Sequence, residues 1–308
     1  MTTSILVTGA EKNYFVSGCM LMWSLKLWAP ELPFYFLDFG LEEGQRNFLR
    51  GQGALIERPA ELAADLHPFA YKAAMGEYLR GIDWSEMVWL DSDMIAVAPL
   101  GEKLATVLTE MAGNGKEVAS CRDVSPSLAA FIAQGWEVNP FVDALRSDKV
   151  DLSGPYYNTG AVVCRSPEFL AAWRDLAKAI PFHVLFEQNA FNLLVRRRTG
   201  VTTLAMNEWN LHGPSLRECN SAKDGQGRNI IKTPSGTAMI VHATSHDSAD
   251  IDIRNAVAGM KTGGIPCVIK LFRNPALLDL QKMWLTRFLT EAENDLHKAG
   301  AVNSPQSN

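Results

Sequence analysis

The sequence predicts an α/β fold in which helices flank a mixed, mostly parallel central sheet. Short apolar segments alternate with longer helix-like segments through the first half of the 308-residue chain, and this alternation is typical of consecutive βαβ units. Two carboxylates, Asp91 and Asp93, directly follow the apolar segment Met87–Leu90. Open α/β sheets bind ligands just beyond the carboxyl ends of their strands. The same stretch therefore predicts both the sheet and the position of a site.

The first half contains three strand–helix pairs and a fourth strand. In chain order, the predicted elements are a strand at 4–8, a helix at 14–27, a strand at 33–39, a helix at 41–50, a short strand at 54–56, a helix at 69–80 and a strand at 87–90. Such an order favours a largely parallel sheet with helices on both faces.

The second half continues the alternation. The predicted elements are a helix near 104–111, a strand at 118–121, loops and helices to about 149, a strand at 156–165, helices at 166–180 and 185–198, a late strand at 238–245 and a terminal helix at 274–297. The sequence shows no internal repeat and no clear linker. We therefore predict one domain over residues 1–300 and a flexible tail over 301–308.

Composition excludes several classes of protein. The formal net charge is −5, which implies no large basic surface and argues against nucleic acid as a partner. The five cysteines are scattered without a CxxC pair, so a reduced, cytoplasmic setting is expected. The N-terminus has no basic region typical of a signal peptide. The longest apolar run, Phe15–Leu25, contains Ser17 and Gly18 and is too short for a transmembrane helix.

The paired aspartates are the first candidate site. Residues i and i+2 of a strand point the same way, so Asp91 and Asp93 can reach one ion where the strand ends. Two carboxylates this close repel each other when both are ionised, and a nearby cation offsets that repulsion. A divalent metal supplies that charge and also holds phosphate oxygens. The alternative is a capped turn that carries surface charges.

Two further segments carry polar groups in apolar surroundings. His242 follows the apolar residues of "IVHATSHD" and is either a structural histidine or a third metal ligand, because imidazole suits Mn²⁺-like ions. Glu187, Gln188 and Asn189 cluster in "FEQNAFN" on a predicted helix. They either cap the helix or line a substrate pocket.

Together these segments resemble the family 8 glycosyltransferases, a group with the GT-A fold that includes glycogenin and bacterial lipopolysaccharide galactosyl- and glucosyltransferases. The order and spacing match over about residues 4–250. The resemblance implies a GT-A-type nucleotide-sugar-binding fold. The segment "VTGAEKNY" is similar to the family's first strand and helix, which bind uracil and ribose, and implies a nucleotide site of four residues: Thr8, Glu11, Asn13 and Tyr14. Glu11 stands where the family has an aspartate.

The resemblance assigns the remaining site residues by position. "WLDSD" looks like the family's DxD motif, so Asp91, Asp93 and His242 are implied metal ligands for Mn²⁺ or Mg²⁺, with Ser92 near the ribose. Lys72 is implied to lie near the diphosphate. The other implied substrate contacts are Asp123 at the acceptor, Asn158, Thr159 and Gly160 along the donor sugar, and Gln188 near the anomeric carbon, flanked by Glu187 and Asn189. "NEWNLH" resembles a recurring segment at Asn210.

One segment departs from the family pattern. The family often follows its histidine with a Lys-Pro-Trp segment whose lysine grips the diphosphate, whereas this chain has Ser245 and Ser248 there. Either Lys261 or Arg254 takes the role of that lysine, or the diphosphate site is looser.

The reaction implied by the resemblance is transfer of a hexose from a nucleotide diphosphate sugar, UDP-glucose or UDP-galactose, to an acceptor hydroxyl with retention. Asp93, Gln188 and Glu187 are the expected catalytic residues, and same-face attack supported by Gln188 is preferred over a Glu187 nucleophile. The expected acceptor is a saccharide or a lipid-linked saccharide, which is compatible with peripheral membrane contact.

Three alternative functional hypotheses each rest on part of the same sequence. "ILVTGA" resembles the start of short-chain dehydrogenases, but the glycine pattern then fails. Haloacid-dehalogenase-type phosphatases also place DxD after an apolar strand, but the motif usually opens their domain, whereas three strands precede it here. A catalytically impaired nucleotide-sugar-binding protein would fit Asn189 and the missing lysine segment.

Overall fold

Strands and helices alternate along the chain, as the sequence predicts. The structure, a computed structural model, describes residues 3–135, 139–183, 185–198, 200–244, 251–255, 265 and 267–302. The strands are β1 (Ser4–Ala10), β2 (Phe34–Asp38), β3 (Leu55–Ile56), β4 (Glu86–Leu90), β5 (Met94–Ala96), β6 (Val118–Arg122), β7 (Tyr157–Cys164), β8 (Val201–Leu204), β9 (Asn220–Lys223), β10 (Asn229–Thr233), β11 (Gly236–Ala238), β12 (Ile240–His242), β13 (Ile251–Asn255) and β14 (Val268–Phe272).

The described residues also contain α-helices and two short 3₁₀ helices, at Lys12–Tyr14 and Gly213–Glu218. The α-helices are α1 (Phe15–Trp28), α2 (Glu43–Gly51), α3 (Pro68–Ala73), α4 (Met75–Tyr78), α5 (Gly101–Gly113), α6 (Leu128–Ala133), α7 (Asn139–Ser147), α8 (Pro167–Ala179), α9 (Phe186–Arg197), α10 (Met206–Trp209) and α11 (Pro275–Ala299). No helix in this part of the chain has both the length and the apolarity that crossing a bilayer requires.

The central sheet confirms the predicted fold class. It has seven strands in the order β3-β2-β1-β4-β7-β6-β8. The pairs β1–β2, β2–β3 and β6–β8 are parallel, and β6–β7 is antiparallel. Strands β4 and β7 are buried along their whole length, as expected for strands with both faces covered. The sheet is therefore mixed and mostly parallel.

The described residues form two compact units. The first unit takes residues from 1–5, 59–89 and 102–206, and the second takes residues from 6–58, 90–101 and 207–308. The single domain over 1–300 and the flexible tail remain predictions, and residues 303–308 of that tail lie outside the described part.

The core of the second unit forms around α1, which is buried along almost all of its length. The Trp23 ring packs edge-on against Phe288 of α11 at 4.9 Å and stacks on Phe48 of α2 at 6.1 Å between centroids. The Trp23 indole Nε1 donates to the Glu291 carboxylate at 2.9 Å. These aromatic contacts attach the terminal helix to the first helix.

The core of the first unit packs α8 and α9 together. Trp173 is fully buried, and its ring meets Phe191 edge-on at 5.2 Å. Its indole Nε1 donates to the Glu187 carbonyl at 2.8 Å, so the first turn of α9 has a fixed position. The loop region predicted to extend to residue 149 contains α6 and α7.

The structure differs from the sequence expectation in several segments, among them the strands β5, β8, β13 and β14, which were not predicted. The helix predicted at 69–80 is two short helices, because Ala74 leaves helical geometry with φ −92° and ψ 14°. Strands β9, β10 and β11 form an antiparallel sheet that the sequence analysis did not predict. Its strand β9 is largely exposed and polar, so no hydrophobic pattern marks it. The turn residues Asp224–Gly227 are its clearest signal, because Asp224 accepts a backbone bond from Gln226.

Candidate functional site

The aspartate pair lies in a turn between β4 and β5. Asp91 directly follows β4, and the Met94 N–H donates to the Asp91 carbonyl at 3.1 Å to close the turn. Strand β5 then pairs with β12 in an antiparallel register that places His242 opposite Met94. The Ala243 N–H donates to the Asp93 carbonyl at 3.0 Å. This pairing brings residues about 150 positions apart in sequence into contact.

Asp91, Asp93 and His242 form the aspartate–histidine cluster. The His242 Nε2 atom lies 3.0 Å from Asp93 Oδ1 and 3.9 Å from Asp91 Oδ2. One ligand atom from each of the three residues lies within 4.8 Å of the others. The structure therefore brings together the three residues that the sequence analysis predicted as metal ligands.

The donor set of this cluster fits a divalent metal ion. On the other side of the imidazole, His242 Nδ1 lies 2.8 Å from the Asn210 side-chain oxygen. Because that oxygen accepts, Nδ1 carries the hydrogen, and the ring is oriented with Nε2 directed at the carboxylates. An imidazole oriented in this way is the usual arrangement of a histidine metal ligand. Carboxylate oxygens with one imidazole nitrogen suit Mn²⁺ or Mg²⁺.

Lys270 on β14 also contacts this cluster and was not among the predicted site residues. Its Nζ atom lies 2.6 Å from Asp93 Oδ2 and 5.6 Å from the centre of the Tyr14 ring. Burial alone would raise the pKa of the Asp93 carboxyl, but Lys270 and His242 outweigh burial and hold that pKa well below its usual range. Burial would lower the pKa of Lys270, and Asp93 raises it instead. A lysine inside the apolar run "VIKLF" was the available signal.

The predicted nucleotide contacts fall in the same unit. The Asn13 amide donates to the Glu11 carboxylate at 3.3 Å, and both side chains are partly exposed. Burial raises the pKa of the Tyr14 hydroxyl, although Lys270 acts in the opposite direction. Thr8 is fully buried, and its hydroxyl donates to the Leu90 carbonyl at 2.7 Å. Thr8 therefore joins β1 to the end of β4 through its own side chain.

Ser92 lies between the two aspartates and is partly exposed. Its Cβ atom lies 3.6 Å from the position that a side chain on Gly18 would occupy. This is an ordinary contact distance, whereas the same side chain would lie 2.5 Å from the Phe36 ring, so the glycine in α1 is needed for the close approach of Phe36.

A second group of predicted residues lies in the other unit and is called the lysine–glutamate cluster: Lys72, Thr159, Glu187 and Gln188, with Asp123 and Asn158. The Lys72 Nζ atom lies 3.2 Å from Glu187 Oε1 and 3.2 Å from the Thr159 hydroxyl. The Thr159 hydroxyl also lies 3.0 Å from the Glu187 carboxylate. Lys72 and Glu187 are each only 4% exposed, so the pair is buried and charge-balanced.

Amide groups hold the other members of this cluster. The Asn158 and Gln188 amides both donate to Asp123 Oδ2, at 2.8 and 3.2 Å. The Gln188 oxygen accepts from the Thr159 N–H at 3.1 Å. The Gly160 N–H donates to the Asn158 side-chain oxygen at 2.8 Å. These bonds link three segments that are far apart in the sequence.

Asn189 lies beside this cluster and is fully buried. Its side-chain oxygen accepts from the Tyr156 hydroxyl at 2.7 Å, and its amide nitrogen lies 2.8 Å from His183 Nε2. Burial raises the pKa of the Tyr156 hydroxyl well above its ordinary value, so Tyr156 stays a donor. The oxygen and the nitrogen of the Asn189 amide therefore each have a hydrogen-bond partner.

Several residues considered for the diphosphate are not described. Ser245, Ser248 and Lys261 lie outside the described residues, and only the backbone of Arg254 is described, within β13. The interpretation of Lys261 or Arg254 as a diphosphate ligand therefore stays a prediction.

No protein-family model matches the sequence, and no curated protein matches it. Solved structures do resemble the fold. The bifunctional glycosyltransferase WbbM is 15% identical, with a TM-score of 0.52 over 97% of this chain and 52% of that chain. The glycosyltransferase GlyE of Streptococcus pneumoniae TIGR4 is 15% identical, with a TM-score of 0.53 over 100% of this chain and 66% of that chain.

The chain spans about half of WbbM and just under two thirds of GlyE. At this level of identity the likeness concerns the fold. The chain has the α/β fold of GT-A type that these glycosyltransferases have.

Proposed function

We propose that this protein is a metal-dependent glycosyltransferase that moves a hexose from a nucleotide diphosphate sugar to an acceptor hydroxyl. The observation that carries the proposal is the aspartate–histidine cluster, in which His242 Nε2 lies 3.0 Å from Asp93 and 3.9 Å from Asp91. The fold shared with glycosyltransferases supports it. Membership of family 8 and retention at the anomeric carbon are the finer parts of this proposal.

Asp91, Asp93 and His242 would hold the metal ion, which the sequence resemblance expects to be Mn²⁺ or Mg²⁺. When bound, a divalent ion neutralises negative charge that develops on a departing diphosphate. The residues themselves orient the donor atoms. Asn210 fixes the His242 ring through the 2.8 Å contact at Nδ1. The pairing of β5 with β12 holds the backbone of His242, and the bond from the Ala243 N–H to the Asp93 carbonyl holds that of Asp93.

Glu11, Asn13 and Tyr14, with Ser92, are the proposed contacts of the uracil and ribose. The partial exposure of these side chains supports this role. Thr8 is proposed to support this nucleotide site indirectly, because its hydroxyl donates to the Leu90 carbonyl. The proposed donor is UDP-glucose or UDP-galactose.

The lysine–glutamate cluster is the proposed site for the donor sugar, with Asp123 at the acceptor. Glu187 already contacts Lys72 and Thr159, and a nucleophile would have to leave both contacts. This engagement supports same-face attack, in which Gln188 steadies the positive charge that develops at the anomeric carbon. Asn158, Thr159, Gly160 and Asn189 are the further proposed sugar contacts.

A nucleotide-sugar-binding protein without turnover is the second candidate. Asn189 favours it, because the amide there is bonded to Tyr156 and His183 where the family resemblance expects a carboxylate. The two candidates share the binding site and differ in catalysis.

A screen of nucleotide sugars with Mn²⁺ tests the proposal, with slow hydrolysis of the donor as the readout. We expect hydrolysis of a UDP-sugar by the wild-type protein and by Asp65→Asn, an exposed control, and none by Asp93→Asn. UDP binding measured by calorimetry should weaken in excess EDTA and should be stronger than GDP binding. Equal UDP affinity with and without EDTA contradicts the metal-dependent part. Tight UDP binding without hydrolysis or transfer favours the second candidate.

A further inference from the structure

Lys270 places a positive charge inside the cluster that is proposed to bind a cation. Its side chain is 15% exposed and that of Asp93 is 12% exposed. In such partly buried surroundings, charges interact more strongly than in water. A divalent ion at Asp93 would therefore face strong repulsion from an ammonium group at its present position.

Both oxygens of the Asp93 carboxylate are already engaged. Oδ2 accepts from Lys270 Nζ at 2.6 Å, and Oδ1 lies 3.0 Å from His242 Nε2. The Oδ2 atom is thus already bonded to a positive group of the protein itself, the Lys270 ammonium. A metal ion that uses this carboxylate competes with Lys270 for it.

Hydrogen bonds fix the backbone at Lys270, so the side chain can change its rotamer while the strand stays in place. The Gln281 amide on α11 donates to the Lys270 carbonyl at 2.8 Å. Strand β14 also pairs with β13, and this register includes Lys270. The four-carbon stem of a lysine has several rotamers. The ammonium can therefore leave Asp93 without a change in the strand.

We propose that Lys270 is an internal counter-ion of Asp93 that a divalent cation displaces. The two cations alternate at one carboxylate: the ammonium neutralises Asp93 when the metal site is empty, and the lysine side chain turns away when the metal binds. This inference rests on the proposed function in one respect, because it takes the aspartate–histidine cluster to be a metal site. It makes Lys270 a residue that sets how tightly the metal binds.

Titration of the full chain with Mn²⁺ alone, at fixed pH and without nucleotide, tests the proposal by calorimetry. Lys270→Met removes the competing charge and should tighten Mn²⁺ binding by about tenfold or more, as expected from the loss of one nearby like charge. Lys270→Arg keeps the charge and should bind Mn²⁺ nearly as weakly as the wild type. Lys232→Met, at an exposed lysine of the same unit, should leave Mn²⁺ affinity unchanged.

A second measurement uses the wild-type protein, so it tests the proposal even when the Lys270→Met variant fails to fold. Reductive methylation followed by mass spectrometry reports how accessible each lysine is. Mn²⁺ should increase the methylation of Lys270 several-fold, because the ammonium is released, and should leave Lys232 unchanged. Unchanged methylation of Lys270 under saturating Mn²⁺ overturns the proposal.

The outcomes separate this inference from the proposed function. Equal Mn²⁺ affinity in the wild type and Lys270→Met overturns the exchange and leaves the metal site intact. Absence of Mn²⁺ binding to both proteins overturns the exchange and also the metal-dependent part of the proposed function. UDP-sugar hydrolysis is measured separately in the nucleotide-sugar screen and tests the proposed function whether or not Lys270 competes with the metal.

Discussion

The aspartate–histidine cluster and the lysine–glutamate cluster differ in how their charges are balanced. The first places two carboxylates beside one imidazole and one ammonium, and Asp91 is 27% exposed. The second pairs Lys72 with Glu187 in a setting where both are 4% exposed. The first cluster has two carboxylates for one ammonium and can take a further cation from solution, whereas Lys72 and Glu187 of the second cluster pair one to one. We infer that the first cluster can exchange one cation for another, and that the second cluster holds its segments in a fixed arrangement.

The largest expected effect of a mutation is at Asp93. Asp93→Ala removes the carboxylate shared by His242 and Lys270 and should lower the rate of sugar transfer by a factor of about 10³, as is typical for the loss of an electrostatic stabiliser. Circular dichroism should show an intact fold, because Asp93 lies in a turn. A fully active Asp93→Ala protein would remove the central claim about the first cluster.

The next effect tests the rigidity of the second cluster. Glu187→Leu leaves the Lys72 ammonium buried without its carboxylate and should lower the free energy of unfolding by about 3–5 kcal/mol. Urea denaturation measures this change. The double variant Lys72→Met/Glu187→Leu should recover most of the loss, because no buried charge of the pair remains. Additive losses in the double variant would show that the two residues do not act as a pair.

The orientation of His242 gives a smaller effect. Asn210→Ala removes the acceptor at His242 Nδ1 and should weaken Mn²⁺ binding by about 10–100-fold, the range known for partners that orient metal ligands. Calorimetry measures the affinity, and Asn47→Ala, at an asparagine that bonds an exposed arginine, serves as the control. Unchanged affinity in Asn210→Ala would mean that the strand pairing alone orients the histidine.

The smallest effect concerns Thr159. Thr159→Val keeps the shape of the side chain and removes the hydroxyl that contacts Lys72 and Glu187. The free energy of unfolding should fall by about 1 kcal/mol, because the ion pair itself remains. Urea denaturation beside Thr106→Val, an exposed threonine on α5, checks the value. A loss as large as that of Glu187→Leu would assign the rigidity to the hydroxyl.

Local sequence patterns predicted much of the fold and part of the site. The apolar run before Asp91 predicted β4, because a strand covered on both faces needs apolar side chains on both. The helix predicted at 166–180 is α8, and its start has a local cause, because the Ser166 hydroxyl accepts from the Phe169 N–H at 3.0 Å. The spacing of Asp91 and Asp93 predicted that both could reach one ion, and a carboxylate oxygen of each does lie within 4.8 Å of the other. These predictions succeed because their causes lie within a few residues.

Other features have causes that are distant in the chain. The division of 69–80 into α3 and α4 occurs where Gly76 approaches Leu170 of α8, and no local residue marks that contact. The partners of Asn189 are Tyr156 and His183, and the segment "FEQNAFN" does not identify them. Both outcomes depend on packing partners that periodicity does not identify.

The sequence by itself determined the alternation of strands and helices and the presence of an acidic pair at the end of a buried strand, because side-chain size and polarity act on neighbouring residues. Only the tertiary structure decided which groups meet that pair. The pairing of β5 with β12 brings His242 to Asp93, and β14 brings Lys270 to the same carboxylate. Charge interactions depend on distance in space, so the partners of Asp93 emerge only when distant segments fold together.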